Sequence, residues 1–299
     1  MNNEKQRPPE AKPYEIVAAA LNEQGFLLQH KVAETLAKPD DRQTHAHQWQ
    51  VEALEVPVSV ANEATRIDLL LRHYSSKESP WYAVLECKRL AREYKRWVFF
   101  GETYKSRGPT AGSYYIEQAD FIGMWDHSGP PPMNHYLATR PASDQCPAFD
   151  FYLEARLARP GGGRTVSATS AIEDAFQQVT LGQAGLAMRM RATNILKFRL
   201  LSVVVTTAEV AVALFDPARV SLEYGKIEAA DLTLESRRWV AVNYRVNDII
   251  SHQSLLTTNR SQEIGVDIAA RQVRTVFVVQ AAHIHEFLAW LARHFNCES

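Results

Sequence analysis

The apolar positions change period several times along the chain. Ile16, Val17, Ala20 and Leu21 recur at helical spacing, and after Gly25 a second set, Leu28, Val32 and Leu36, steps by four behind Phe26 and Leu27. Lys38-Pro39-Asp40-Asp41 closes this second helix, because proline disfavours helical backbone in the residue before it. Three strand-like runs follow: Trp49 to Val60, Arg66 to Tyr74 and Trp81 to Leu90. The loops between them, 61–65 and 75–80, have turn chemistry and hairpin-like lengths. The pattern predicts helix followed by an antiparallel three-stranded meander.

Residues 91–165 carry many aromatics and two breakers, at Gly129 to Pro132 and Pro160 to Gly163, and read as an insertion with partial structure. Ser170, with Glu173 three residues on, has capping-box spacing and opens a helix that runs through Met190. Strands are predicted at Leu200 to Thr206, Val210 to Phe215, Trp239 to Val246 and Thr275 to Val279, and a closing amphipathic helix near His283 to Phe295. This order implies an α/β architecture with a central mixed sheet flanked by helices. The expected organisation is a flexible leader, 1–13, and a single domain, 14–299. Within the domain, 14–90 and 168–215 form the core, 91–167 the insertion and 216–299 a C-terminal α/β extension.

Composition narrows the class of protein. The 299 residues are 46% hydrophobic and 22% charged, as in a globular domain with a sizeable core. No apolar run reaches the roughly 18 to 20 residues that span a bilayer, and the polar, Pro-rich opening does not match a secretory signal. Cys87, Cys146 and Cys297 are scattered and form no CxxC pair. The expected setting is a reduced cytoplasm without a membrane partner. A net charge of -1 excludes a globally basic nucleic-acid coat but leaves room for a local basic groove.

Candidate chemistry centres on Asp68, inside one apolar strand, and Glu86-Cys87-Lys88, at the end of the next. Residues i and i+2 of a strand share a face, so Glu86 and Lys88 project together. Two carboxylates on adjacent strands repel each other and favour a hard divalent cation, Mg²⁺ or Mn²⁺, with the Cys87 carbonyl as a further oxygen donor. Lys88 is placed to orient a water and offset charge on a phosphate. The tripeptide acid-any-Lys also occurs at Glu10 to Lys12 and Glu93 to Lys95, so it carries little by itself. What distinguishes Glu86 to Lys88 is its apolar strand and the second acid one short loop away. The bland alternative is a solvated, marginal ion pair at a strand end.

Arg66-Ile67-Asp68-Leu69, Val84-Leu85-Glu86-Cys87-Lys88-Arg89, the helix after the insertion and Val203 to Thr207 together resemble the PD-(D/E)xK, restriction-endonuclease-like nuclease superfamily. The resemblance covers about 14–90 and 168–215. It implies a restriction-endonuclease-like core (αβββαβ) and a Mg²⁺-dependent nuclease of restriction, repair or antiviral defence. Asp68 and Glu86 would then be metal ligands and Lys88 the catalytic lysine. No proline precedes Asp68, unlike the motif that gives the superfamily its name. Members commonly add a Glu from the first helix; Glu34 is the first choice here and Glu15 the second, while Gln29 stands where that acid is most naturally expected. Some relatives place a Gln on the later helix, where Gln177, Gln178 and Gln183 are candidates, Gln178 foremost.

Basic residues cluster after the site. Lys88, Arg89, Arg92, Lys95, Arg96, Lys105 and Arg107 are opposed only by Glu93 and Glu102, and Trp97, Phe99, Phe100 and Tyr104 interleave with them. Such a stretch can hold phosphates and stack bases; the competing reading is a solvated helix face over a core stripe. The expectation is a metal-dependent DNA endonuclease acting as a homodimer or higher oligomer, with a defence-system partner protein expected at the family level. The alternative is a catalytically inactive nucleic-acid-binding or assembly protein on the same fold.

Overall fold

In a computed structural model the described residues are 13–23, 26–38, 49–74, 80–90, 96–101, 112–121, 133–155, 170–195, 197–246 and 272–295. Thirteen strands and four α-helices lie within them. The chain opens with α1 (Pro13–Glu23) and α2 (Phe26–Ala37) and continues into β1 (Trp49–Val60), β2 (Glu63–His73) and β3 (Trp81–Lys88). These strands pair antiparallel in sequence order, and the β1–β2 connection is only Ala61 and Asn62, with Ala61 in the left-handed region (φ 54°). The meander is thus present, and its first hairpin is tighter than the expected five-residue loop.

The stretch read as a partly structured insertion supplies five strands: β4 (Arg96–Phe100), β5 (Ser113–Phe121), β6 (Met133–Pro141), β7 (Ala148–Phe149) and β8 (Phe151–Ala155). After α3 (Ser170–Ala192) come β9 (Phe198–Thr206), β10 (Glu209–Phe215), β11 (Leu232–Arg237), β12 (Trp239–Arg245), β13 (Val273–Gln280) and α4 (Ile284–His294). The larger sheet runs β1-β2-β3-β9-β13-β12-β7 and is mixed: β3, β9 and β13 are parallel, whereas the β1–β2–β3 meander and the β12–β13 pair are antiparallel. β5 pairs with the opening residues of β9, before β13 begins its own pairing there. A smaller sheet runs β11-β10-β4-β8.

Burial on both faces explains why apolar residues do not alternate with polar ones along most of β9 and β13, whereas β1 alternates and tolerates Pro57 because it is an edge strand. One face of the large sheet packs against α3 and the small sheet through Val84, Phe176, Val179, Val204, Trp97 and Phe99. The other face packs against α2 and α4 through Leu28, Val32, Leu85, Phe277 and Phe287. The molecule is therefore mixed α/β with a central mixed sheet flanked by helices. Among the described residues no helix is long and apolar enough to cross a membrane.

α3 sits on the sheet at two glycines and one polar anchor. A Cβ on Gly185 would meet the Val58 side chain at 2.8 Å, and one on Gly182 would meet Ile67 at 3.1 Å. Gln183 donates to Glu117 of β5 (2.9 Å) and accepts from Ser202 of β9, while Arg274 of β13 reaches the same Glu117 carboxylate (3.4 Å), all of it buried. Gly185→Ala is expected to lower stability by about 1–3 kcal/mol through overpacking, measured by urea denaturation. An unchanged midpoint would show that the helix does not approach β1 this closely.

Candidate functional site

The β2–β3 ladder stops at the Leu69–Leu85 pair. One step further Asp68 and Glu86 would face each other, but there the two strands part: β2 stays with β1 as far as Glu63, and β3 stays with β9 as far as Lys88. Side chains satisfy two main-chain groups at this fork. The Cys87 N–H donates to Asp68 Oδ2 (2.7 Å), and Gln29 Nε2 of α2 donates to the Asp68 carbonyl (2.9 Å). The fork opens a cleft of about 390 Å³ lined by Asp68, Glu86, Cys87, Lys88, Arg89 and Gln178, with Gln29, Glu55, Thr65, Arg66 and Phe26 around them.

Glu86 and Lys88 share a face of β3, and Lys88 Nζ lies 3.1 Å from Glu86 Oε1. The same ammonium donates to Gln178 Oε1 of α3 at 2.6 Å. Asp68, Glu86, Lys88 and Gln178 are thus brought together, with Arg89 at the mouth. Glu86 is 7% exposed; burial, then the nearby Asp68 charge, push its carboxyl up to about 7, against the pull of Lys88. Asp68 is also raised, chiefly by burial and further by Glu55, while the Cys87 N–H and Lys88 act in the opposite sense. The Cys87 thiol packs into the core between α2, α4 and the sheet and is raised strongly by burial, so it is no nucleophile. Its main chain reaches the cleft through the N–H given to Asp68.

Sequence reasoning missed Glu55. It lies on β1 with φ 50°, near a register shift between Val51 and Ala53, and its Oε1 accepts from Gln29 Nε2 at 2.7 Å. Arg66 stands 3.6 Å from its other oxygen. In a regular strand Glu52 and Glu55 would project from opposite faces, and no pattern local to β1 marks Glu55 as a neighbour of the fork. Gln29 occupies the helix position facing the fork, as the helix register suggested, but as an amide.

Other expected residues lie elsewhere. Glu34 is on the exposed side of α2, paired with Lys31 and Lys38, which hold its carboxyl well below the usual range. It does not line the cleft, because its place on the helix turns it away from Leu28, Gln29 and Val32, the buried side. Glu15 is exposed on α1. Arg96, expected at the phosphates, binds Glu209 (2.7 Å) between β4 and β10 in the small sheet. The helix alternative for that stretch also fails at Arg96–Phe100, a strand with Trp97 and Phe99 buried. Gln183 is spent on Glu117 and Ser202, and Gln177 lies exposed on α3. Arg92, Lys95, Lys105 and Arg107 lie outside the described residues.

The donor set fits a hard divalent cation. Two carboxylates stand at one fork, each held toward its protonated form by burial, and a cation is the charge that would let both ionise. Among the described residues no three Asp, Glu, His or Cys side chains form a full ligand set. Water and substrate oxygens would complete the shell, as Mg²⁺ sites commonly have it.

The sign of the Glu86 shift predicts a pH effect on the metal-free protein. A carboxyl at about 7 when folded and 4.5 as its ordinary value stabilises the fold below pH 4.5. That contribution is lost as pH rises through 7, a change of about 3 kcal/mol at most. In EDTA, thermal melts from pH 4.5 to 8 should show Glu86→Gln losing less stability than the parent; parallel profiles would contradict the burial of this charge. No protein-family model matches the chain, and neither a curated protein nor a solved structure is significantly similar to it.

Proposed function

We propose that the chain is a divalent-cation-dependent nuclease that hydrolyses phosphodiester bonds in DNA, built on a restriction-endonuclease-like core. The observation that carries this reading is the fork itself: Asp68 and Glu86 converge on one cleft with Lys88, 3.1 Å from Glu86 and 2.6 Å from Gln178. The element order supports it: helix, the β1–β2–β3 meander, α3, then β9 parallel to β3.

In this reading Asp68 and Glu86 hold Mg²⁺ or Mn²⁺, the Cys87 carbonyl being a further candidate oxygen. The ion supplies Lewis acidity toward the phosphate and the attacking water. Asp68 is oriented by the Cys87 N–H, which holds its Oδ2 while the residue lines the cleft. Glu86, raised to about 7 by burial, would hold a cation in its ionised form, so cation affinity is expected to rise with pH through neutrality. Lys88, fixed from both sides, presents its ammonium where charge builds on the non-bridging phosphate oxygens, and it orients the water. Arg66 and Arg89 at the mouth meet flanking phosphates. A homodimer and a partner in a defence system belong to this proposal as its assembly.

A second reading, a nucleic-acid-binding protein without catalysis, draws on Gln29, an amide where an acid would add a ligand. Incubation with plasmid, single-stranded DNA and RNA, in Mg²⁺, Mn²⁺ or EDTA, separates the two. Cleavage of DNA in either metal and none in EDTA is expected, with Asp68→Ala and Lys88→Ala each slower by roughly a hundredfold or more. Undiminished cutting by both variants would refute the site. Retention of DNA in a gel shift without any cutting would favour the second reading.

A further inference from the structure

Two neighbouring strands kink at the same level, beside the fork. Ala53 and Val56 of β1 pack into one apolar cluster on the α3 side of the sheet, and so do Ile67 and Leu70 of β2. Residues three apart in a regular strand point to opposite faces. Each strand therefore changes phase between those positions. The β1–β2 ladder aligns Leu54 with Leu69 and Val56 with Ile67 on either side of the kink. That register sets Glu55 level with Asp68, as the β2–β3 register sets Asp68 level with Glu86. Glu55 carries the left-handed backbone of the β1 kink (φ 50°), and strand irregularities of this kind re-aim side chains beside sites.

One relay ties the two kinks together. Gln29 of α2, itself 5% exposed, donates from Nε2 to both Glu55 Oε1 (2.7 Å) and the Asp68 carbonyl (2.9 Å). A carboxylate and a carbonyl only accept, so the amide turns its NH₂ end to both. Glu55 thereby fixes which end of Gln29 meets Asp68. The Asp68 side chain in turn accepts the Cys87 N–H (2.7 Å), where the β2–β3 ladder has already stopped. The second Glu55 oxygen lies 3.6 Å from Arg66, so each of its oxygens has a partner. Among the described residues no three acids group closely enough to hold one ion, which leaves Glu55 outside the Asp68–Glu86 pair.

We propose that Glu55 is a positioning residue: acting through Gln29, it holds the Asp68 main chain in the kinked form in which the Asp68 carboxylate meets the Cys87 N–H and lines the cleft. Its purpose rests on the cation reading of the fork; the relay itself needs no ion.

Two measurements separate the relay from its purpose. Selective ¹⁵N labelling of the three cysteines isolates the Cys87 amide, and its hydrogen-exchange rate in EDTA reports the bond to Asp68. Glu55→Ala and Gln29→Ala should each speed that exchange about tenfold. The double variant should be no faster than Gln29→Ala alone, because the two residues act in series. Glu55→Gln should stay close to the parent, since its amide oxygen still accepts from Gln29. Glu55→Met, of similar length but without the carboxylate, replaces Glu55→Ala should the smaller side chain loosen the fold. Calorimetric titration with Mn²⁺ should rank the variants in the same order, with Glu55→Ala and Gln29→Ala weaker by about tenfold and Asp68→Ala not binding. Three results would overturn the assignment: additive effects of Glu55→Ala and Gln29→Ala, equal losses in Glu55→Gln and Glu55→Ala (which would mark the charge rather than the bond), or parent-like Cys87 exchange without the Glu55 carboxylate. Exchange rates in the expected order, in a parent that binds no Mn²⁺, would confirm the relay and refute the cation reading instead.

Discussion

The parting of β2 from β3 is the constraint from which the site follows. An antiparallel ladder that continued past Leu69 and Leu85 would set Asp68 against Glu86 and leave no room between them. Because the strands separate there, freed main-chain groups need partners, and buried main-chain polar groups are costly when unpaired. The Asp68 carboxylate and the Gln29 amide fill that need. The bonds that make the fork tolerable are thus the bonds that aim Asp68, and fold and site share one set of interactions.

The fork concentrates charge that burial disfavours. Asp68 and Glu86 are both driven toward protonation, and Lys88 only partly offsets this. Glu55 adds a third carboxylate at the rim from a left-handed position that a non-glycine residue occupies at a cost of order 1–3 kcal/mol. Strain and unfavourable charge therefore fall at the same place in the fold. α3 links this place to the rest of the molecule: Gln178 reaches the fork, Gln183 the buried Glu117, and Glu173 the Tyr152 and Tyr244 hydroxyls.

Much of this was legible in the chain, and the exceptions have physical reasons. β1 was bounded correctly because its composition and breakers agree, and β9, β10, β12 and β13 moved by only one or two residues at an end. Asp68, Glu86 and Lys88 were legible because charge inside an apolar strand is conspicuous, and strand period two tells which side chains share a face. Residues 91–167 were harder. Strands such as Arg96–Phe100 pair with partners more than fifty residues away, and nothing local to them specifies those partners. Arg96 read as a phosphate contact because its partner Glu209 is more than a hundred residues distant. Glu34 and Gln29 are five apart on one helix, and which faces the sheet depends on a helix rotation that a short amphipathic pattern leaves loose. Glu55 was hidden by a strand irregularity.

The most direct examination of the fork is anomalous diffraction from crystals soaked in Mn²⁺, with data collected at the manganese edge. A peak bridging Asp68 and Glu86, on the Lys88 side of β3, is the expected result. A clean map there, with Asp68 still accepting from the Cys87 N–H and manganese bound elsewhere or nowhere, would contradict a cation-binding role for the paired strand acids.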